Sequence, residues 1–180
     1  MELENAILGF LAWSDMTGYE LKALFAKLDF LPWSGNNNQI YTTLMALEKK
    51  GLVHKETIQQ EKLPAQKRYS ATDAGKAQLK LAILEPGGAP PHANDFLMHI
   101  AWAECLNGTE LTGMLDQYQH AVEIELKMAR EQLNRGNAIT TRDRREEYLW
   151  GMISTHRLMT LQTELDWLVR LRNGLAGKEV

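Results

Sequence analysis

Asn36-Asn37-Asn38-Gln39-Ile40-Tyr41-Thr42-Thr43-Leu44-Met45-Ala46-Leu47-Glu48-Lys49-Lys50-Gly51 is the stretch that decides how this chain reads. At 100° per residue, Ile40, Leu44 and Leu47 fall on one narrow face, which predicts a helix over about 36–50 anchored by those three side chains. Gly51 follows as the residue best suited to the left-handed position after a helix. The opposite face carries Asn38, Thr42, Met45 and Lys49, flanked by Gln39 and Ala46. Asn and Gln can pair bidentately with adenine edges, while Thr and Ala methyls can touch thymine methyls. The first-turn amides of Asn36, Asn37 and Asn38 could hold a phosphate at a helix N-terminus. A plain solvated face is the alternative, and the surroundings must decide.

Upstream, Leu3, Ile7, Phe10 and Leu11 recur at helical spacing, predicting a helix over about 2–13. Ser14-Asp15-Met16 reads as a short connection. Thr17-Gly18-Tyr19-Glu20 reads as a capping box, with Tyr19, Leu21, Leu24, Phe25 and Leu28 continuing a second helix. Downstream, residues 52–58 and 66–70 read as two strands joined by a polar loop, with Lys62, Lys67 and Arg68 on or beside the hairpin. Thr72 is a plausible N-cap for a fourth helix carrying Leu79, Ile83 and Leu84. Three helices, a hairpin and a helix make a winged helix-turn-helix with a two-stranded β-wing. Cations on such a wing would clamp phosphates and make binding salt-dependent.

Glu85-Pro86-Gly87-Gly88-Ala89-Pro90-Pro91 cannot continue a helix or a central strand, so 85–91 is expected to link a unit over 1–84 to one over 92–180. The second unit reads as helical. Asn94 or Asp95 caps a helix over 96–106, and Thr109 caps the next. Leu111, Leu115, Tyr118, Val122, Leu126, Ala129 and Leu133 then form a near-heptad stripe. A last helix over about 142–171 carries Leu158, Leu161, Leu165 and Leu168. Stripes of this length predict a partner subunit, with Leu111, Leu115, Tyr118, Val122, Leu126, Leu158, Leu161, Leu165 and Leu168 at the dimer interface. The fold class expected is mainly α, with the winged helix first and a long-helix dimerisation domain second.

Composition narrows the function. Net charge is −3, but residues 1–80 carry ten Lys/Arg against nine Asp/Glu, and residues 81–180 ten against fourteen. The placement of the cations therefore matters more than their sum. No apolar run approaches the roughly 20 residues of a membrane span. The start, Met1-Glu2-Leu3-Glu4-Asn5, lacks the order of a signal peptide, and the single Cys105 cannot form an internal disulfide, so a reducing cytoplasm is expected. Cys105 reads as mid-helix with no paired base. His54, His92, His99, His120 and His156 are scattered without ligand spacing, and no phosphate-binding glycine loop occurs. No enzymatic activity, metal or cofactor is expected. A winged helix serving only protein contacts is the competing reading.

Ile7-Leu8-Gly9-Phe10-Leu11, Gly18-Tyr19-Glu20-Leu21, Gln39-Ile40-Tyr41 with Leu44, Leu47-Glu48 and Gly51-Leu52-Val53, and Lys67 to Gly75 together resemble the PadR family of regulators over about residues 3–84. The Pro-rich linker and the helical tail resemble its longer members. The resemblance implies a dimeric bacterial regulator, usually a repressor though some members activate, on a palindromic double-stranded operator. By position, it places Gln39, Tyr41 and Thr42 in the recognition helix and Lys67 and Arg68 in the wing. Thr42 stands where the family often has proline, and Ala71 where it often has a bulky apolar residue. Some longer members respond to phenolic acids. Trp33, Trp102, Trp150 and Trp167 are then candidate walls for a small aromatic effector, with His99, His156 or Arg157 as carboxylate partners. Core or interface packing of these tryptophans is the plainer alternative.

Overall fold

The computed structural model describes residues 2–28, 30–33, 37–59, 65–85, 87–89, 94–135 and 141–177. The chain divides into two compact units, Met1–Pro90 and Pro91–Val180.

In the first unit, α1 (Leu3–Trp13) leads through a two-residue strand, β1 (Met16–Thr17), into α2 (Gly18–Phe25) and α3 (Asn37–Lys49). Strands β2 (Val53–Ile58) and β3 (Gln66–Ala71) and helix α4 (Asp73–Leu84) follow. Both backbone punctuation signals act as their residue types dictate. Thr17 Oγ accepts the Glu20 N–H at 3.1 Å while the Glu20 carboxylate accepts the Thr17 N–H at 2.7 Å, closing the capping box. Gly51, at φ 70°, occupies the left-handed region after α3. Thr72 caps α4 by accepting the Gly75 N–H.

The core collects Ile7 and Leu8 of α1, Leu21 and Phe25 of α2, and Ile40, Leu44 and Leu47 of α3, all 2% exposed or less. Phe10 meets Phe25 edge-on at 5.2 Å. α4 packs on α1 through a glycine: a Cβ at Gly75 would run into the Leu52 carbonyl oxygen.

The expected two-stranded wing is the β2–β3 hairpin, and β1 adds a third strand to its sheet. The sheet has three antiparallel strands in the order β1-β3-β2, with Met16 opposite Tyr69 and Thr17 opposite Arg68. The Ser14-Asp15-Met16 connection is therefore partly a strand. Periodicity cannot reveal two residues of strand, because β3 imposes the conformation by pairing.

In the second unit, α5 (Asp95–Ala101) is followed by a 3₁₀ turn (Ala103–Cys105), α6 (Gly108–Asn134) and α7 (Arg144–Ala176). The helix expected over 96–106 is thus broken at Trp102, and Cys105 is exposed rather than packed mid-helix. Asn107, not Thr109, caps α6, accepting the N–H groups of Thr109 and Glu110 at 3.0 Å. Helices α6 and α7 pack together around a core of Phe96, Leu115 and Leu168. The Phe96 and Tyr118 rings stack at 3.5 Å, and the Tyr118 hydroxyl donates to Glu164 at 2.8 Å.

Candidate nucleic-acid interface

Helix α3 separates its faces as the 100° spacing dictates. Ile40, Leu44 and Leu47 are at most 1% exposed. Asn38, Gln39, Tyr41, Thr42, Met45 and Lys49 are exposed, and Ala46 is half-buried. No described polar side chain of this face is buried against the unit itself. Asn36 and Lys62 lie outside the described residues.

Tyr41 sits where α3 meets α2. A Cβ at Gly18 would strike its ring, so only glycine at the head of α2 lets the two helices approach there. The neighbouring Tyr19, read from sequence as part of the second helix's apolar pattern, is 74% exposed. Sequence reasoning missed it, although a tyrosine one residue inside a capped N-terminus has no core to face. Tyr19 and Tyr41 thus put two accessible aromatic side chains on the helix pair.

The cations divide into two kinds. Lys50 pairs with Glu4 at 2.7 Å, and Lys55 on β2 pairs with Glu48 on α3 at 2.6 Å. The hydrogen bond to Glu48 raises the Lys55 pKa above its ordinary value, and burial raises that of Tyr69 beside it. Arg68 donates through Nε and Nη2 to the Asp15 carbonyl at 3.2 and 3.1 Å, and lies 4.0 Å from Glu20. Its guanidinium braces the α1–α2 turn against β3 while 38% of the side chain stays accessible. The Glu20 pKa is held below the usual carboxylate value chiefly by the Thr17 N–H, with Arg68 contributing. Lys67 and Lys49 are exposed and form no ion pair with the described residues.

The six effector candidates lie on several elements of the two units. Trp33 belongs to the first unit, edge-on to Phe25 at 6.4 Å. In the second unit, His99 and Trp102 share a cavity of about 430 Å³ with Met98 and Cys105. Trp150, His156 and Arg157 lie along α7, where Arg157 pairs with Glu125 of α6 at 2.7 Å. Trp167 meets Phe96 edge-on, a packing role.

Part of the expected interface stripe is enclosed by the chain itself. Leu115, Val122, Leu126 and Leu168 are buried inside the chain, and Leu111, Tyr118 and Leu165 pack against that same core. Leu158 and Leu161 are half-buried. Two helices of one chain satisfy near-heptad spacing as well as two copies would. Tyr148, Leu149, Met152, Ile153 and Met159 of α7 are 38–65% exposed within a 140° arc, and Val169, 54% exposed, lies outside it. Among the described residues no helix is long and apolar enough to cross a membrane.

Residues 7–81 match the model of the Transcriptional regulator PadR-like family. The Negative transcriptional regulator PadR of Bacillus subtilis is 32% identical over 120 residues, 65% of this chain and 65% of that protein. The matched stretch thus spans just under two thirds of the relative. The solved structure of B. subtilis PadR in complex with operator DNA superposes with a TM-score of 0.80 at 21% identity, covering 94% of this chain and 95% of that one. The same protein in complex with p-coumaric acid gives 0.78 at 20% identity, again covering 94% and 95%. At these identities the structural likeness is one of fold.

Proposed function

We propose that the chain is a PadR-like transcriptional regulator, on the match of residues 7–81 to that family, and that it represses transcription as a homodimer on a palindromic double-stranded operator. Residues 1–84 read DNA and residues 92–180 hold the dimer. One observation carries the reading: Asn38, Gln39 and Thr42 are exposed on the face of α3 opposite three fully buried leucine and isoleucine side chains. Short amide and hydroxyl side chains there suit the major-groove floor. Lys49 and Lys67 meet the backbone, and Arg68 holds the wing in register. Repression rather than activation is favoured by the relative named a negative regulator.

The dimer uses the exposed α7 arc of Tyr148, Leu149, Met152, Ile153 and Met159. Because that relative is known with p-coumaric acid, a small aromatic acid is the effector class proposed, with the His99–Trp102 cavity its best-formed receptor among the sequence candidates. The site is the cytoplasmic DNA of the cell, and no catalytic step is assigned to the chain.

Electrophoretic mobility of the promoter next to its own gene, across a salt series, tests the reading. Affinity should fall steeply, with a log–log slope of about −0.9 per neutralised phosphate. Lys67→Ala should weaken operator and random DNA alike and flatten the slope by about one unit. Gln39→Ala should instead cost about 1–3 kcal/mol at one base position and little on random DNA. Salt-indifferent binding, or equal effects of both substitutions on both DNAs, defeats it. Titrating phenolic acids against tryptophan fluorescence and operator release tests the effector; silence in both removes that chemistry.

A further inference from the structure

We infer, resting on the DNA-reading face proposed above, that Met45 is a specificity residue whose side chain packs on the 5-methyl group of one thymine in each half of the operator. The chain then tells thymine from cytosine at that position by apolar contact, where Asn38, Gln39 and Thr42 would use hydrogen bonds.

Asn38, Thr42, Met45 and Lys49 follow one another at steps of four, three and four residues, and all are exposed. Such steps keep them within about 60° of one another, on the side of α3 away from Ile40, Leu44 and Leu47. Three of the four are polar or charged. Met45 interrupts them as a large apolar side chain, 60% exposed. The apolar feature that a base pair offers in the major groove is the C5-methyl of thymine. An unbranched, polarizable thioether adapts to such a methyl without needing one fixed geometry. Met45 lies about 10 Å along the helix from Asn38. Base pairs rise about 3.4 Å apart, so the two residues meet different pairs.

The neighbours of Met45 leave this contact to it. Tyr41, the other exposed large apolar residue of α3, has its ring over Gly18, where a Cβ would strike it, and is held at the head of α2. Glu48, the one carboxylate in the α3 sequence, pairs with Lys55 at 2.6 Å. The helix therefore presents no unpaired anion to the duplex. Ala46 is half-buried, so Thr42 carries the other methyl on the outward strip and serves as the control.

Electrophoretic mobility shift tests the assignment on the promoter fragment next to its own gene, made with thymidine or with deoxyuridine, which lacks only the methyl. Losing one buried methyl costs about fourfold in affinity, and a dimer makes the contact twice, so the parent should bind the deoxyuridine fragment about fifteenfold more weakly. Met45→Ala and Met45→Gln should bring the two fragments within about threefold. Met45→Leu, which keeps an apolar reach, should preserve the preference, and so should Thr42→Ser, which removes only the neighbouring methyl. Because the residue is exposed, none of the Met45 changes should disturb thermal unfolding appreciably. Replacing thymines singly should place the parent's loss at one position per half-site. Equal binding of both fragments by the parent overturns the assignment, and salt-dependent operator binding then still stands, which separates the two readings. A preference that survives both Met45→Ala and Met45→Gln, or that Thr42→Ser abolishes, also overturns it. If the fragment is not bound at all, the assignment falls together with the regulator reading.

Discussion

The two units solve the problem of burial differently. In the first, three helices and a small sheet converge from several directions, and seven large side chains reach 2% exposure or less. In the second, two long helices lie along one another. Among its described large apolar side chains only Leu115 and Leu168 reach the same 2% or less, while Tyr148, Leu149, Met152 and Met159 are 44–65% exposed. A pair of helices has one shared seam, so each leaves most of its circumference outside. The first unit can therefore be stable by itself, whereas the second gains by acquiring a neighbour.

The largest effect should separate the two regions outright. Leu44→Ala should cost about 3–4 kcal/mol in urea unfolding followed in the first unit, because nothing can collapse into the space. Met152→Glu with Ile153→Glu should change unfolding of the chain at low concentration by no more than about 0.5 kcal/mol. Its effect should appear as weakened self-association in sedimentation velocity. Comparable unfolding costs would abolish the distinction. Gly75→Ala comes next, at about 1–2 kcal/mol by thermal denaturation, since a collision with the Leu52 carbonyl outweighs the gain in helix propensity. A neutral or stabilising result would mean that α1 and α4 have room to slide. Thr17→Ala should cost about 1 kcal/mol through the lost N-cap, measured in the same way.

The smallest effect is one of pH. The folded-state pKa of Glu20 lies below its ordinary value of 4.5. Its stabilising contribution is therefore complete above that value and disappears as pH falls through the lowered one. Because the carboxylate is half exposed, with 48% of its side chain accessible, solvent screens the interaction and the change in Tm should be slight. Glu20→Gln should flatten this acid limb. An unchanged limb would assign it to other carboxylates.

Much of the first unit was legible because its signals are local. The capping box at Thr17, the glycine at 51, the Thr72 cap and the buried face of α3 each follow from residue type at fixed spacing. The second unit was legible as helices but not as an arrangement. Heptad spacing states that a seam exists and is silent on whether the other side belongs to the same chain; Leu115, Val122, Leu126 and Leu168 of the stripe are buried within one chain. Asn107 and Thr109 are both capping residues two apart, and only the backbone decides between them. Of the candidate site, exposure on α3 was readable from its period. The bracing of Arg68 was not, because its acceptor is a backbone carbonyl 53 positions earlier.

Strand β3 is the middle strand of the small sheet, flanked by β1 and β2. Its amides near Tyr69 are thus shielded on both sides, while the outer edge of β2 faces no partner strand. Deuterium should enter β2 through local fraying, but reach the centre of β3 only when the helix-turn-helix itself comes apart. The centre of β3 and the helices then share one cooperative opening, so loosening β3 takes support from α3 with it.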